Sequence, residues 1–281
     1  MTTRIYLVFG DLHGRILPAF RLATLWARAQ QVQIDGLLQV GDLGYFPDSS
    51  RLDKATKRFA QEDPTELGAL EIVEHSTEAN RVFGEEDCAP AMWFTAGNHE
   101  DYQALQALAH GDAFAVDAYR RVLCIQDGRV AKVPDHLRVG ALWGVDNEAP
   151  NRRREAPAYC HLRPDRAVRL ACSQFDVLLT HDAPRDAVYA GAGSADIRDV
   201  IRSAQPQFAF FGHYHAVGRR LEGDYGKTQV HHLNGMELGG PGGSAEPGSV
   251  GTLAWKDGEG TFEYLPDAWL KTFTRHNWRH F

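Results

Sequence analysis

Five short apolar runs, each ending in an acid, an amide or a histidine, constrain this chain more than anything else in it. Arg4-Ile5-Tyr6-Leu7-Val8-Phe9 leads into Gly10-Asp11-Leu12-His13-Gly14, and Gly36-Leu37-Leu38-Gln39-Val40 into Gly41-Asp42. Ala91-Met92-Trp93-Phe94-Thr95 precedes Gly97-Asn98-His99-Glu100. Phe175-Asp176-Val177-Leu178-Leu179 precedes Thr180-His181-Asp182, and Phe208-Ala209-Phe210-Phe211 precedes Gly212-His213-Tyr214-His215. Continuous apolar runs of this length suit strands buried on both faces. Open sheets covered by helices gather ligands just beyond the carboxyl ends of their strands. The five ends are therefore predicted to converge on one rim, with glycines allowing the sharp turns.

Helical patterns alternate with these runs. Residues 15–31 are amphipathic, with Phe20, Leu22, Leu25 and Trp26 on or near one face. Residues 64–83 read as one longer helix, capped by Asp63 and opened by Pro64. Shorter helices are expected over 101–109 and 196–204. Between them 122–125, 130–133 and 137–143 read as strands, and Asp127-Gly128 predicts a hairpin joining the first two. Late strands are expected over 228–233, 250–255 and 261–264. The expected fold is α/β, two mixed sheets packed together and flanked by helices, in one domain over 1–281. Within it, 45–89 is a candidate helical cap insertion and 144–169 a loop-rich insertion. The Gly- and Pro-rich stretch 239–251 reads as a flexible loop.

Bulk composition permits this fold and narrows the function. The chain has 281 residues, enough for a substantial core. A net charge of −7 gives no global attraction for nucleic acid or an anionic membrane. Cys88, Cys124, Cys160 and Cys172 show no metal-type pairing and read as reduced thiols. No leader-like start and no membrane-length apolar run is visible, so a cytoplasmic location is expected.

The chemistry lies in the fragments taken as a set. Asp11 and His13 sit two residues apart, so one turn can direct both onto one cation, and His213 and His215 can do the same. Asp42 is a carboxylate able to bridge two cations, and Asn98 offers a neutral amide oxygen. Mixed imidazole and oxygen donors suit transition metals better than calcium or magnesium: manganese or iron first, with zinc, nickel or cobalt compatible. Two such cations, roughly 3.5–4 Å apart, can activate a water and neutralise phosphoryl oxygens. The absence of thiolates from the fragments argues against a structural zinc site.

Asp11-x-His13, Gly41-Asp42, Gly97-Asn98-His99-Glu100, His181 and Gly212-His213-x-His215 resemble the five motifs of the calcineurin-like metallophosphoesterases, and Asn234-Gly235 extends the likeness. The resemblance implies a two-sheet sandwich with a dinuclear centre at one rim. It implies that Asp11, His13 and His215 hold one metal, that Asn98, His181 and His213 hold the other, and that Asp42 bridges them. It also implies that His99 is catalytic rather than a ligand, contacting the phosphate and protonating the leaving oxygen, worth about 10²–10⁴-fold in rate. Protein phosphatases of the family orient that histidine with a second Asp in Gly-Asp-x-x-Asp-Arg-Gly. Here Gly41-Asp42-Leu43-Gly44-Tyr45-Phe46 lacks it, leaving Asp48, Glu100 or Asp101 as candidate orienters. Faint similarity to RNA lariat debranching enzymes, in Asn98-His99-Glu100, 138–144 and 179–184, tilts the expectation toward phosphodiesters.

The reading is thus a phosphate-ester hydrolase in which metal-activated water attacks phosphorus and His99 assists departure. The alternatives are a nuclease of the same family, a phosphomonoesterase or protein phosphatase, and a non-catalytic binding module. A nucleic-acid partner would need an arginine-lined groove to overcome the net charge. Arg15, at the start of the first helix beside the metal loop, is a candidate phosphate contact. The Arg152-Arg153-Arg154 run reads better as a solvated face than as a clamp. His75 reads as exposed, and His231 and His232 read better as packing than as ligands. Phe273, His276, Trp278, His280 and Phe281 form a tail that could dock, dimerise or simply pack. The oligomeric state is not legible.

Overall fold

Each of the five apolar runs forms a strand, and the five lie in two sheets. The structure, a computed structural model, describes residues 2–146, 157–215 and 218–280. The Arg152-Arg153-Arg154 run and Phe281 lie outside the described residues. The strands are β1 (Arg4–Phe9), β2 (Gly36–Gln39), β3 (Met92–Phe94), β4 (Ala113–Ala115), β5 (Val122–Ile125), β6 (Arg129–Val133) and β7 (Leu137–Leu142). They continue as β8 (Val177–Thr180), β9 (Phe208–Phe211), β10 (Arg219–Leu221), β11 (Gln229–His232), β12 (Val250–Lys256) and β13 (Glu259–Tyr264). Helices are α1 (Ile16–Gln30), α2 (Lys54–Phe59), α3 (Leu70–Val73), α4 (Thr77–Phe83), α5 (Tyr102–Leu108), α6 (Pro164–Ala171), α7 (Ala195–Ala204) and α8 (Asp267–Leu270).

One sheet runs β13-β12-β1-β2-β3-β5-β4 and the other β10-β11-β9-β8-β7-β6. Strands β1, β2, β3 and β5 are mutually parallel, as are β7, β8, β9 and β11, and the remaining strands pair antiparallel at the edges. Side chains alternate across β1 as the pleat requires. Tyr6 and Val8 join Val177, Leu179, Phe208 and Phe210 in the layer between the sheets. Leu7 and Phe9 pack with Phe20 and Leu22 of α1 on the outer face. On the far side, Leu178, Ala209 and Phe211 pack with Leu170 of α6 and with Ile197 and Val200 of α7. The result is helix, sheet, sheet, helix, the expected fold class. Each fully buried Leu or Phe of these layers contributes roughly 1.5–3 kcal/mol.

Three expectations fail for identifiable reasons. Asp127-Gly128 does form a turn, with Gly128 at φ +66, but it is not a hairpin. β5 pairs with β3 and β4 while β6 pairs with β7, so the turn carries the chain from one sheet to the other. Residues 64–83 form not one helix but a 3₁₀ turn (Pro64–Leu67), α3 and α4. Gly68 packs so tightly on Gly14 that a Cβ there would meet the Gly14 carbonyl oxygen, and Ser76 starts α4 afresh by accepting from Ala79 N. The Gly-rich stretch is folded against the first metal loop: Ser249 O accepts from Gly10 N, and Ser244, Ala245 and Ser249 are buried.

The tail packs: Phe273 and Trp278 are buried, while His276 and His280 are exposed. His231 and His232 are buried against Phe210 and Phe211 respectively, as packing residues. No helix among the described residues is long and apolar enough to cross a membrane.

Candidate metal centre

Four of the rim loops are tied to one another by backbone N–H groups that donate to Asp42 and Asp11. Leu12 N and His13 N both donate to Asp42 O, at 3.0 and 2.9 Å, joining the loops after β1 and β2. His99 N, after β3, donates to Asp42 Oδ1 at 2.8 Å. His213 N, after β9, donates to both oxygens of Asp11 at 3.2 Å. The carboxylates are thus aimed by loops from other strands.

That aiming holds the backbone in conformations most residues avoid. His13, Asp42 and His213 have φ of 41°, 51° and 67°, in the left-handed region where Asp and His are tolerated best. Such strain costs about 1–3 kcal/mol per residue and gathers at functional sites. Two glycines make room for the carboxylates. A Cβ on Gly97 would lie 2.1 Å from Asp42 Oδ1, and one on Gly212 would lie 2.0 Å from Asp11 Oδ1.

Side chains converge in two groups that share Asp42. Asp11, His13 and Asp42 bring donor atoms within 4.8 Å of one another, and so do Asp42, His181 and His213. His181 Nε2 lies 3.2 Å from Asp42 Oδ2 and 3.2 Å from His213 Nδ1. His13 Nε2 lies 3.7 Å from the same Asp42 oxygen. Asn98 Oδ1 is buried with no hydrogen-bond partner. An amide oxygen desolvated without a donor is unfavourable unless something else satisfies it. His215 lines the cleft but is exposed and stands outside both groups.

Burial and mutual contact shift the charges of these groups. Burial pushes the Asp11 carboxyl up to about 7, with His181 opposing and Asp42 adding to the rise. Burial would also raise Asp42, but His181 and His99 hold it well below the usual carboxylate range. Burial would lower His181, yet Asp42 and Asp11 lift it to about 9. Buried this closely, the carboxylates and imidazoles offset one another's charge, and the same donors can take up cations. Oxygen donors from Asp11, Asp42 and Asn98, together with the imidazoles, fit a pair of transition-metal ions.

His99 stands beside the groups. Burial would depress its imidazole, but Asp42 and Asp53 lift it to about 9. Asp53 Oδ2 lies 2.6 Å from His99 Nδ1, so Asp53 is the orienter. The three residues expected in that role are committed elsewhere. Asp48 accepts from Ser50 N, Asp101 from Arg51 and Ala104 N, and Glu100 from Leu43 N and Tyr45 N. Asp53 caps α2, accepting from Thr56 N, and nothing local in the sequence points it at His99.

Arg15 also differs from expectation. It is 4% exposed, and its guanidinium donates to His13 O, Glu66 Oε1 and Asp63 Oδ2. It braces the loop after β1, and its guanidinium is engaged by protein acceptors rather than turned to the cleft. The cleft over the metal groups, about 180 Å³, is walled by Ala55, Thr56 and Phe59 of the 45–89 segment and by Glu66 and Glu237. Sequence reasoning missed Glu237; Asn234-Gly235 marked its segment but not the residue.

The sequence profile described as calcineurin-like phosphoesterase matches residues 6–217. No curated protein matches the chain in sequence. Among solved structures, a predicted phosphoesterase from Streptococcus pneumoniae covers 94% of this chain and 90% of its own, at 12% identity and a TM-score of 0.39. The GAP50 anchor of the inner membrane complex of Plasmodium covers 94% and 85%, at 12% identity and a TM-score of 0.50, a likeness of fold. The 5'-nucleotidase of Candida albicans covers 84% of this chain but 47% of its own, at 12% identity and a TM-score of 0.41.

Proposed function

The chain belongs to the calcineurin-like phosphoesterase family, and from that premise we propose that it is a metal-dependent hydrolase of phosphate esters, with phosphodiesters preferred. The observation that carries the reading is the pair of donor groups sharing Asp42. Asp11, His13, Asp42 and His215 would hold one cation, and Asp42, Asn98, His181 and His213 the other. When bound, manganese or iron ions in this site supply the activation of water and the neutralisation of phosphoryl charge.

The protein's own residues do the rest. His99 delivers a proton to the departing oxygen from Nε2, because Nδ1 is held by Asp53. Asp53 fixes the ring and keeps the imidazole protonated. The 45–89 segment acts as a cap on a single catalytic domain, and Phe59, 43% exposed, offers the organic part of the ester an apolar wall. Glu237 lines the same cleft as Glu66, which is paired with Arg15, so the second negative charge of a monoester is opposed more strongly than the single charge of a diester. The four cysteines are free, which fits a reducing cytoplasm.

The test is hydrolysis of bis(p-nitrophenyl) phosphate beside p-nitrophenyl phosphate, by protein stripped of metal and then given Mn²⁺. Activity restored by metal, greater on the diester and sharply lowered in His99→Ala, supports the reading. Neither activity nor bound metal would return the chain to a binding module.

A further inference from the structure

Glu237 lies beyond residues 6–217, where the family profile ends, yet its placement is fixed from both sides. Met236 and Leu238 are fully buried, and Met236 N donates to Asp11 O at 2.7 Å. Leu238 has φ +54, a left-handed conformation that an ordinary side chain avoids unless the surroundings impose it. The backbone here is locked to the first metal loop, and the residue between the two anchors lines the metal cleft.

Glu237 Oε1 lies 3.4 Å from His13 Nε2, the nitrogen that also approaches Asp42 Oδ2. Although the side chain is 32% exposed as a whole, this oxygen is buried and accepts no hydrogen bond. A carboxylate oxygen out of contact with water and without a donor is strongly unfavourable unless a cation adjoins it. Arg15, the cationic side chain beneath the loop, is committed to Asp63 and Glu66. The orphan oxygen therefore adjoins His13, just outside the tighter group that His13 forms with Asp11 and Asp42, and it has the chemistry of a ligand.

We propose that Glu237 is a further ligand to the cation held by Asp11, His13 and Asp42, an inference that rests on the metal-centre reading above. The two sites are then unlike. One offers three carboxylates with imidazole, and the other imidazoles, an amide oxygen and the shared carboxylate. The oxygen-rich site favours the harder ion, such as Mn²⁺ or Fe³⁺, and the two positions fill with different affinities.

The test uses the full chain, stripped of metal and titrated with Mn²⁺ by calorimetry and electron paramagnetic resonance, as wild type and Glu237→Gln. Wild type should bind two ions with a spin-coupled spectrum. Glu237→Gln should keep one site unchanged and weaken the other at least by the ~10–100-fold that loss of a ligand's outer partner brings. Melting temperatures supply an independent sign. Glu237→Gln should melt higher than wild type without metal, because an unpaired carboxylate is gone, and lower than wild type with saturating Mn²⁺. Two Mn²⁺ sites of unchanged affinity in Glu237→Gln would overturn the proposal, whether or not KM moved, and would leave the phosphoesterase reading standing. A wild type that binds no metal would overturn both.

Discussion

Asp53 Oδ2 lies 2.6 Å from His99 Nδ1, although Asp53 caps α2 in the cleft wall and His99 follows β3 at the sheet rim. One carboxylate thus serves two elements, Oδ1 holding the start of the helix and Oδ2 holding the His99 ring. The position of the wall and the orientation of the imidazole are set together.

Asp53→Asn should preserve the helix cap, since Asn caps as well as Asp, while removing the charge that steadies His99. Turnover of bis(p-nitrophenyl) phosphate is expected to fall about 10²-fold with metal content unchanged, and His99→Ala should fall by about 10²–10⁴-fold. Metal analysis beside the kinetics checks this. Loss of metal in His99→Ala would make it a ligand and refute its assignment.

Asp42 belongs to both donor groups, so Asp42→Asn should lower occupancy of both positions rather than one. Equilibrium dialysis against Mn²⁺ reads the stoichiometry directly. A variant that kept one full-affinity site would show that Asp42 does not bridge.

Gly212→Ala places a methyl group where Asp11 Oδ1 now sits, at 2.0 Å. The carboxylate must turn away, and with it goes the hydrogen bond from His213 N. Weakened metal binding is expected together with a loss of roughly 1–3 kcal/mol in stability, the usual cost of forcing volume into a packed site. Urea denaturation and Mn²⁺ titration of the same sample measure both.

His231 gives a pH prediction away from the metal groups. Burial, with Arg220 adding to it, pushes its imidazole down to about 4 from the ordinary 6.5. The folded state therefore accepts only the neutral ring, while the unfolded chain protonates it near 6.5. Its contribution is fully present above 6.5 and is lost as pH falls toward 4, by at most about 3 kcal/mol. Denaturation of wild type and His231→Phe across that range should give curves that diverge as pH drops, wild type losing more. Parallel curves would refute it.

What the sequence disclosed and what it concealed divide along physical lines. The strand-end fragments were legible because apolar run, glycine and ligand are contiguous, and His13, Asp42 and His181 each carry their own local signal. The turn at Asp127-Gly128 was legible as a turn, but pairing partners depend on distant strands, so its crossing between sheets was not. The break within 64–83 arises from the contact of Gly68 with Gly14, a tertiary contact that no periodicity records. Arg15 was visible as a cation beside the loop, whereas its engagement by Asp63 and Glu66 required two distant segments to meet. Asp53 and Glu237 are ordinary acids in sequence, and only the fold brings them to His99 and His13.

The proposed ligands rise from both sheets. Asp11, His13, Asp42 and Asn98 follow strands of one, while His181 and His213 follow strands of the other. Any ion seated among them is a clasp across the seam of the sandwich, and binding energy at the rim becomes cohesion between the halves. At a thousandfold excess over its dissociation constant, one such ion adds about 4 kcal/mol to the folded state. Chelation should therefore loosen amide protection first along that edge, at the ends of β1 and β9, well before the interior layer of Val8, Val177 and Phe210 responds. In this architecture the catalytic ions would also be fasteners, so a cell short of metal would hold a protein that is both silent and unclasped at its working edge.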